Sequence, residues 1–336
     1  MKRFLATTAI ILCAACTYDI PGDEMGEAVF SLSAPTKISG TPAEASVSNW
    51  AVMLFDASNP EAKYFAQAND GSDITCYARK GRPYRVYAIA NYPTEGAGRF
   101  SPEDVESEDW LLSFTARLSG NSPGHLTMFG SAWIESLPEK GTNRIWLNRL
   151  CSKISIRKIR LQTDDEAYTG STLSIGAIYL TNVYLRSGLA DSDFDASEDP
   201  SDWYNAMGWH LSGAENALDA LVGDRGIGKE LENGQSYENA HVFYAFPNPV
   251  TEDCQDAEWS PRCTRMVIEA TLGGKRYYYA ISFPGMQRNH SYIVTEAVIK
   301  SPGSLSPEEV IPGSIAASIT TVQDTWDTEY TTSEDS

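Results

Sequence analysis

Three observations predict a mostly β chain with short helical insertions. Short runs rich in β-branched and aromatic residues, bounded by Gly, Pro, Asn and Asp clusters, recur along the whole length. Helical periodicity is scarce. A composition of 42% hydrophobic and 21% charged residues belongs to chains that fold around cores, not to disordered chains or multi-span membrane proteins. At 336 residues the chain exceeds one ordinary domain of about 100–200 residues, so two are expected.

In the first half, strands are expected at Ala28 to Ser33, Trp50 to Asp56, Tyr64 to Gln67, Ile74 to Ala78, Tyr84 to Asn91, His125 to Ile134 and Ile145 to Leu161. One helix should interrupt them. Ser101 is a good N-cap, Pro102 suits the first helical position, and Glu103 and Asp104 face the positive end of the helix dipole. The run RIWLNRLCSKISIRKIRL changes phase twice, which one uniform strand would not do. Bulges, or a strand that leaves one sheet for another, explain it, and the domain junction is placed near residue 160. The expected layout is a signal at 1–15, a first domain over 16–160 and a second over 161–336.

In the second half, strands are expected at Leu173 to Leu185, Ala240 to Phe246, Thr264 to Leu272, Arg276 to Phe283, Tyr292 to Ile299 and Ile315 to Val322. Gly273-Gly274 reads as a tight hairpin turn, because both positions accept positive φ. Between Ser187 and Asn239 lies a long acidic insertion with two short helices expected, near Trp203 to Trp209 and Asn216 to Leu221.

The N-terminus is an export signal: Lys2 and Arg3 form a basic region, Phe4 to Leu12 a short apolar one, and Ala14-Ala15-Cys16 a small-residue cleavage site. Nine or so apolar residues are too few to span a bilayer core of about 30 Å as a helix. The end of the signal is similar to a bacterial lipobox, which makes Cys16 the candidate for lipid attachment, although Cys13 stands where Leu is usual. A lipid there would tether the protein to a membrane and leave its body in water. The alternative is a plain secretory signal.

Charge and motifs exclude several function classes. Lys plus Arg total 26 against 45 Asp plus Glu, and a net charge of -19 repels phosphate backbones, so no nucleic-acid partner is expected. The segment GDRGIGKE at 223–230 nearly matches a phosphate loop, but Glu230 replaces the magnesium-binding hydroxyl; it reads as an ordinary glycine-rich loop. Asp191, Asp193, Asp195 and Asp202 have calcium-loop spacing without the required glycine and read as a solvated acidic loop. His125, His210, His241 and His290 are mutually remote in sequence, and no nucleophile elbow is present. No catalysis, cofactor or metal is expected. Trp50, Tyr84, Tyr87 and Tyr277 to Tyr279 lie in strand segments, where packing is the default over sugar stacking. Export permits disulfides. Cys254 and Cys263 bracket a short polar loop and form a candidate bridge, while Cys76 and Cys151 read as buried thiols.

The two ends of the mature chain draw attention. In EAVFSLS, Ala28, Phe30 and Leu32 share one face of a strand, and Lys37 follows in a turn-rich stretch. A protease with trypsin-like preference cutting at Lys37 would release that strand; the alternative is a lysine serving solubility. In SIAASITTVQDTW, Ile315, Ala317 and Ile319 share one face and Val322 and Trp326 the other. This last strand either completes its own sheet or adds to the sheet of a neighbour.

NWAVMLFD, RPYRVYAIANYP, LTMFGSAW, IWLNRLCSKISIRKI, HVFYAFPNP and TRMVIEATLGGKRYYYAISFPGMQRNHSYIVTEAVIKSPGSLSPEE, in that order between Cys16 and Trp326, resemble the fimbrial subunits of the Bacteroidetes fimbrillin family, which builds type V pili. The resemblance spans nearly the whole mature chain. It implies two tandem transthyretin-like (Greek-key) β-sandwich domains and export as an outer-membrane lipoprotein through Cys16. It also implies cutting by a surface protease at Lys37, where stalk subunits usually carry arginine. The strand bearing Ala28, Phe30 and Leu32 would then be displaced, and its place taken by a neighbouring subunit's donor strand bearing Ile315, Ile319, Val322 and Trp326. The implied partners are other fimbrial subunits and the implied role is a structural subunit supporting adhesion. Anchor and tip subunits share the fold, and a non-polymerising glycan-binding surface lipoprotein is the competing reading.

Overall fold

The structure is a computed structural model and describes residues 24–33, 46–96, 98–137, 142–190, 197, 199–204, 221–252 and 260–323. Its first part contains β1 (Met25–Ser33), β2 (Trp50–Asp56), β3 (Asn59–Ala68), β4 (Ile74–Arg79), β5 (Tyr84–Ala90), the helix α1 (Glu108–Ser113), β6 (Thr115–Arg117), β7 (Met128–Ile134), β8 (Thr142–Trp146) and β9 (Asn148–Arg149). A three-stranded sheet ordered β4-β1-β8 faces a five-stranded sheet ordered β3-β2-β5-β7-β9. The period of two along β2 explains the packing. Trp50, Val52 and Leu54 face Ala28, Phe30, Cys76 and Ile145 across one core, while Ala51, Met53 and Phe55 face Phe100, Val105, Leu111 and Leu118 on the other side.

The second part contains β10 (Ser152–Ile156), β11 (Ile159–Leu161), β12 (Leu173–Thr181), β13 (Val183–Tyr184), β14 (Arg186–Gly188), β15 (Trp203–Tyr204), β16 (Gly223–Leu231), β17 (Ser236–Tyr237), β18 (His241–Ala245), β19 (Thr264–Leu272), β20 (Lys275–Phe283), β21 (His290–Ile299) and β22 (Ile315–Gln323). One sheet runs β17-β11-β21-β10-β18 with β22 on the other side of β21, and the second runs β16-β12-β19-β20. Alternation again sets the core: Met266, Ile268 and Ala270 of β19 point inward, while Val267 joins Ala177 and Tyr179 on the outer face. The sheet pairs are tied together, because β6 pairs with β14 and the Leu118 amide donates to the Leu185 carbonyl at 3.0 Å.

The phase-changing run does switch sheets. β8 pairs with β1, β9 with β7, and among the described residues β10 and β11 pair only with later strands. The crossing requires Gly130, where a Cβ would stand 1.9 Å from the Trp146 carbonyl oxygen. The Gly273-Gly274 hairpin forms with φ of 59° and 82°, joining β19 to β20.

Four expectations need correction. Residues 102–104 form only a 3-10 turn, and Ser101 makes no capping bond; the α-helix starts at Glu108, capped by Ser107, whose hydroxyl accepts from the Trp110 amide at 3.1 Å. The cause is Lys63, whose ammonium takes the carbonyls of Pro102, Glu103 and Val105 that a continuing helix would have used. His125 precedes its expected strand, which starts at Met128. GDRGIGKE is not a loop but most of β16, an edge strand in which Gly226 and Gly228 take positive φ where its register with β12 shifts. Trp203 and Tyr204 lie in β15, with Trp203 paired with Tyr184, and not in a helix; residues 205–220, where most of the expected helices fall, lie outside the described residues, and Leu221, the last residue of the second, is helical.

Candidate functional site: the first and last strands

β1 is the middle strand of its sheet. It runs antiparallel to β4, with Ala28 opposite Cys76 and Phe30 opposite Ile74, and parallel to β8, with Leu32 opposite Ile145. Ala28 and Phe30 are completely buried and Leu32 is half-buried. Each large side chain so placed contributes roughly 1.5–3 kcal/mol. The underlying floor is Trp50, Val52, Leu54, Val86 and Met128. Trp50 is pinned through its indole N–H to the Ser72 carbonyl at 2.9 Å, and the Tyr84 hydroxyl donates to the Arg79 carbonyl at 2.8 Å. Without β1, a slot about two strand spacings wide, roughly 10 Å, would separate β4 from β8, with unpaired backbone groups on both walls. Cys76 lies in that wall, and burial pushes its thiol up to about 12.

β22 is placed in the opposite way. It pairs antiparallel with β21 from Ile315↔Ile299 to Gln323↔His290, with one bulge between Val294 and Glu296. Ile315 is half-buried, but Ala316 to Thr321 are exposed, Ile319 by 43%. Its hold on the molecule is therefore a backbone ladder with little apolar burial.

Both edges of the β16-β12-β19-β20 sheet are protected. β16 carries Asp224, Arg225, Lys229 and Glu230 and its glycine irregularity. The outer edge of β20 is closed by Ser304, which exchanges two backbone bonds with Tyr278, 2.9 and 3.0 Å. Gly303 makes that approach feasible, since a Cβ there would sit 2.4 Å from the Tyr278 carbonyl oxygen. β22, with the sequence IAASITTVQ, has neither charge nor proline.

Of the sequence-derived positions, Ala28, Phe30 and Leu32 come together on the inner face of β1, and Ile315, Ile319 and Val322 all lie in β22. Cys16, Lys37, Cys254 and Trp326 lie outside the described residues. Cys263 is buried with its sulfur 3.3 Å from the Val250 carbonyl. Cys76 and Cys151 are buried free thiols. Of the aromatics considered for sugar stacking, Trp50, Tyr84, Tyr87, Tyr277 and Tyr279 are buried, and Tyr278 is half-buried on the outer face of its sheet. His241 is buried and ties two sheets, its Nδ1 2.7 Å from Asp224 and its Nε2 3.1 Å from the Tyr237 hydroxyl. Asp202 is paired with Arg186 at 2.8 Å, while Asp191, Asp193, Asp195 and His210 fall outside the described residues. Sequence reasoning found β4 and the end of β8 as strands but missed that they form the walls of the slot. ITCYAR and TNRIW show the alternation that marks half-buried strands, but nothing local says that they flank β1.

No protein-family model matches the chain, and no curated protein does. Solved structures do. A Bacteroides eggerthii protein named for cell adhesion superposes with a TM-score of 0.61 at 19% identity, covering 91% of this chain and 98% of its own. The fimbrilin FimA of Porphyromonas gingivalis gives 0.58 at 12% identity, covering 88% and 96%. The tip fimbrial protein Mfa3 of P. gingivalis, truncated at its C-terminus, gives 0.52 at 14%, covering 89% and 100%. At such identities the shared property is the fold, over nearly the full length of each partner. The chain thus has a β-sandwich, fimbrillin-like fold, the architecture of solved fimbrial and cell-adhesion proteins.

Proposed function

We propose that this chain is a structural subunit of a cell-surface fimbria that joins its neighbours by strand exchange and supports adhesion. The observation that carries the reading is the inverse placement of the two terminal strands. β1 fills the centre of a sheet and covers a core, so its loss creates a strand-shaped acceptor, whereas β22 turns the side chains of Ala316 to Thr321 to solvent. The fold shared with a fimbrilin and a tip fimbrial protein supports the fimbrial assignment. In this reading the protein is exported and held at the outer membrane by a lipid on Cys16, a surface protease cuts at Lys37, and β1 departs. Another subunit then supplies the strand that bears Ile315, Ile319, Val322 and Trp326. The two sheet pairs are tandem domains, and the hand-over of pairing after Arg149 supports a division somewhat before residue 160.

The test is limited trypsin treatment of the delipidated protein, followed by mass mapping, electron microscopy and maleimide labelling. Cutting at Lys37, loss of the fragment carrying β1, filaments, and labelling of Cys76 only in cut but unassembled subunits are expected. A cut protein that keeps β1, leaves Cys76 sealed and stays monomeric at every concentration overturns the reading.

A further inference from the structure

The acceptor slot is polar in direction only weakly through its backbone, because an entering strand finds one antiparallel and one parallel wall whichever way it runs. Side-chain size decides instead. Reading along β1, the inner positions are small, large and intermediate: Ala28 against Cys76, Phe30 against Ile74, and Leu32 against Ile145. Along β22 the face carrying Ala317, Ile319 and Thr321 repeats that order, and the four-residue stretch Ala-Val-Phe-Ser of β1 is mirrored by Ala-Ser-Ile-Thr.

The other placements fit worse. Reversed, with Ile319 still at the Phe30 site, Thr321 brings a hydroxyl against Cys76 in a dry core, and Ala317 leaves the Leu32 site underfilled. Sliding Ile315 to the Phe30 site pulls in Gly313 and undoes the base of the β21–β22 connection, where the Lys300 amide donates to the Ser314 carbonyl at 2.9 Å. In β1's direction the opposite face puts Val322 at the Phe30 site with Thr320 at the Ala28 site.

We propose that β22 of a second copy of this chain enters the slot in β1's own direction, with Ala317 at the Ala28 site and Ile319 at the Phe30 site. This inference rests on the strand-exchange reading above. It makes Ala317 the position that sets register: the Ala28 site is fully buried beside Cys76, so a larger side chain there has to displace packed neighbours, and Ala317 itself is exposed in the separate subunit, so substituting it leaves the subunit's own core untouched.

The native Cys76 supplies the test. Opposed residues of antiparallel strands have Cα atoms about 4.5–5.5 Å apart, within the span of a disulfide. Trypsin-treated A317C, oxidised during assembly, is expected to give a ladder of disulfide-linked subunits on non-reducing gels; T321C should give none, and C76S should abolish the ladder. A317L is expected to stop filament growth while T321L permits it. A ladder from T321C, or from both variants, overturns the register. Filaments from every variant without any ladder do the same but leave strand exchange standing. Absence of filaments from the unsubstituted protein removes the exchange reading itself, and this inference with it.

Discussion

β1 and β22 are both nine-residue strands at the ends of the described chain, and they differ in what holds them. β1 has a partner on each side and two completely buried side chains, so side-chain burial and two ladders act together. β22 has one described partner and almost no apolar burial, so a single ladder carries it. The lesson is that strand length and hydrophobicity do not set how firmly a strand is held. Position in the sheet does, since only an interior strand satisfies both backbone edges and covers a core.

The comparison is broken or sharpened by substitution. The largest effect is expected for Phe30→Ala, which empties the middle of the first core and should cost about 3–5 kcal/mol of unfolding free energy in denaturant titration of the uncut protein. A cost near zero would mean that β1 is not held by its core. Next comes Gly130→Ala, which drives a Cβ into the Trp146 carbonyl where β7 and β8 separate into the two sheets. Overpacking of this kind costs about 1–3 kcal/mol, seen as a lower denaturation midpoint, with β8 the wall displaced.

A smaller effect is expected at Asp56, at the end of the strand that floors the slot. Burial alone would raise its carboxyl, but the Ser58 hydroxyl and amide, at 2.5 and 2.8 Å, and Arg82 at 3.2 Å together hold it below its ordinary 3.8. A depressed folded value means that the contribution is complete above 3.8 and is lost as pH falls through the folded value. Asp56→Asn should therefore cost about 1–2 kcal/mol at neutral pH, with the difference from the unsubstituted protein narrowing below pH 3.8 in urea titrations.

The smallest effect on the isolated subunit is expected for Ile319→Ser, within about 0.5 kcal/mol because the side chain already faces solvent. The same substitution should reduce filament yield strongly by electron microscopy. A large loss of subunit stability would show that β22 is anchored by its side chains after all.

Much of the strand inventory was legible. Trp50–Asp56 and Thr264–Leu272 match their expected limits because alternation and flanking turn residues are local signals. The failures have identifiable causes. Lys63, distant in sequence, takes three carbonyls and stops the helix expected at Ser101. In β16 two glycines hid a strand that is stabilised by its ladder with β12. At the candidate site, the inner stripe of β1 and the composition of β22 were readable, whereas their unequal burial was not.

The sequence by itself determined which residues share a strand face, where the chain turns at Gly273-Gly274, and that the run from Arg144 to Leu161 cannot be one uniform strand. These follow from a two-residue period and from backbone sterics, both local. Only the tertiary structure decided that β1 lies between β4 and β8 and that β22 takes an edge of β21. Strand pairing across long separations depends on which surfaces fit and which backbone groups remain to be satisfied, and neither is written in any short stretch of residues.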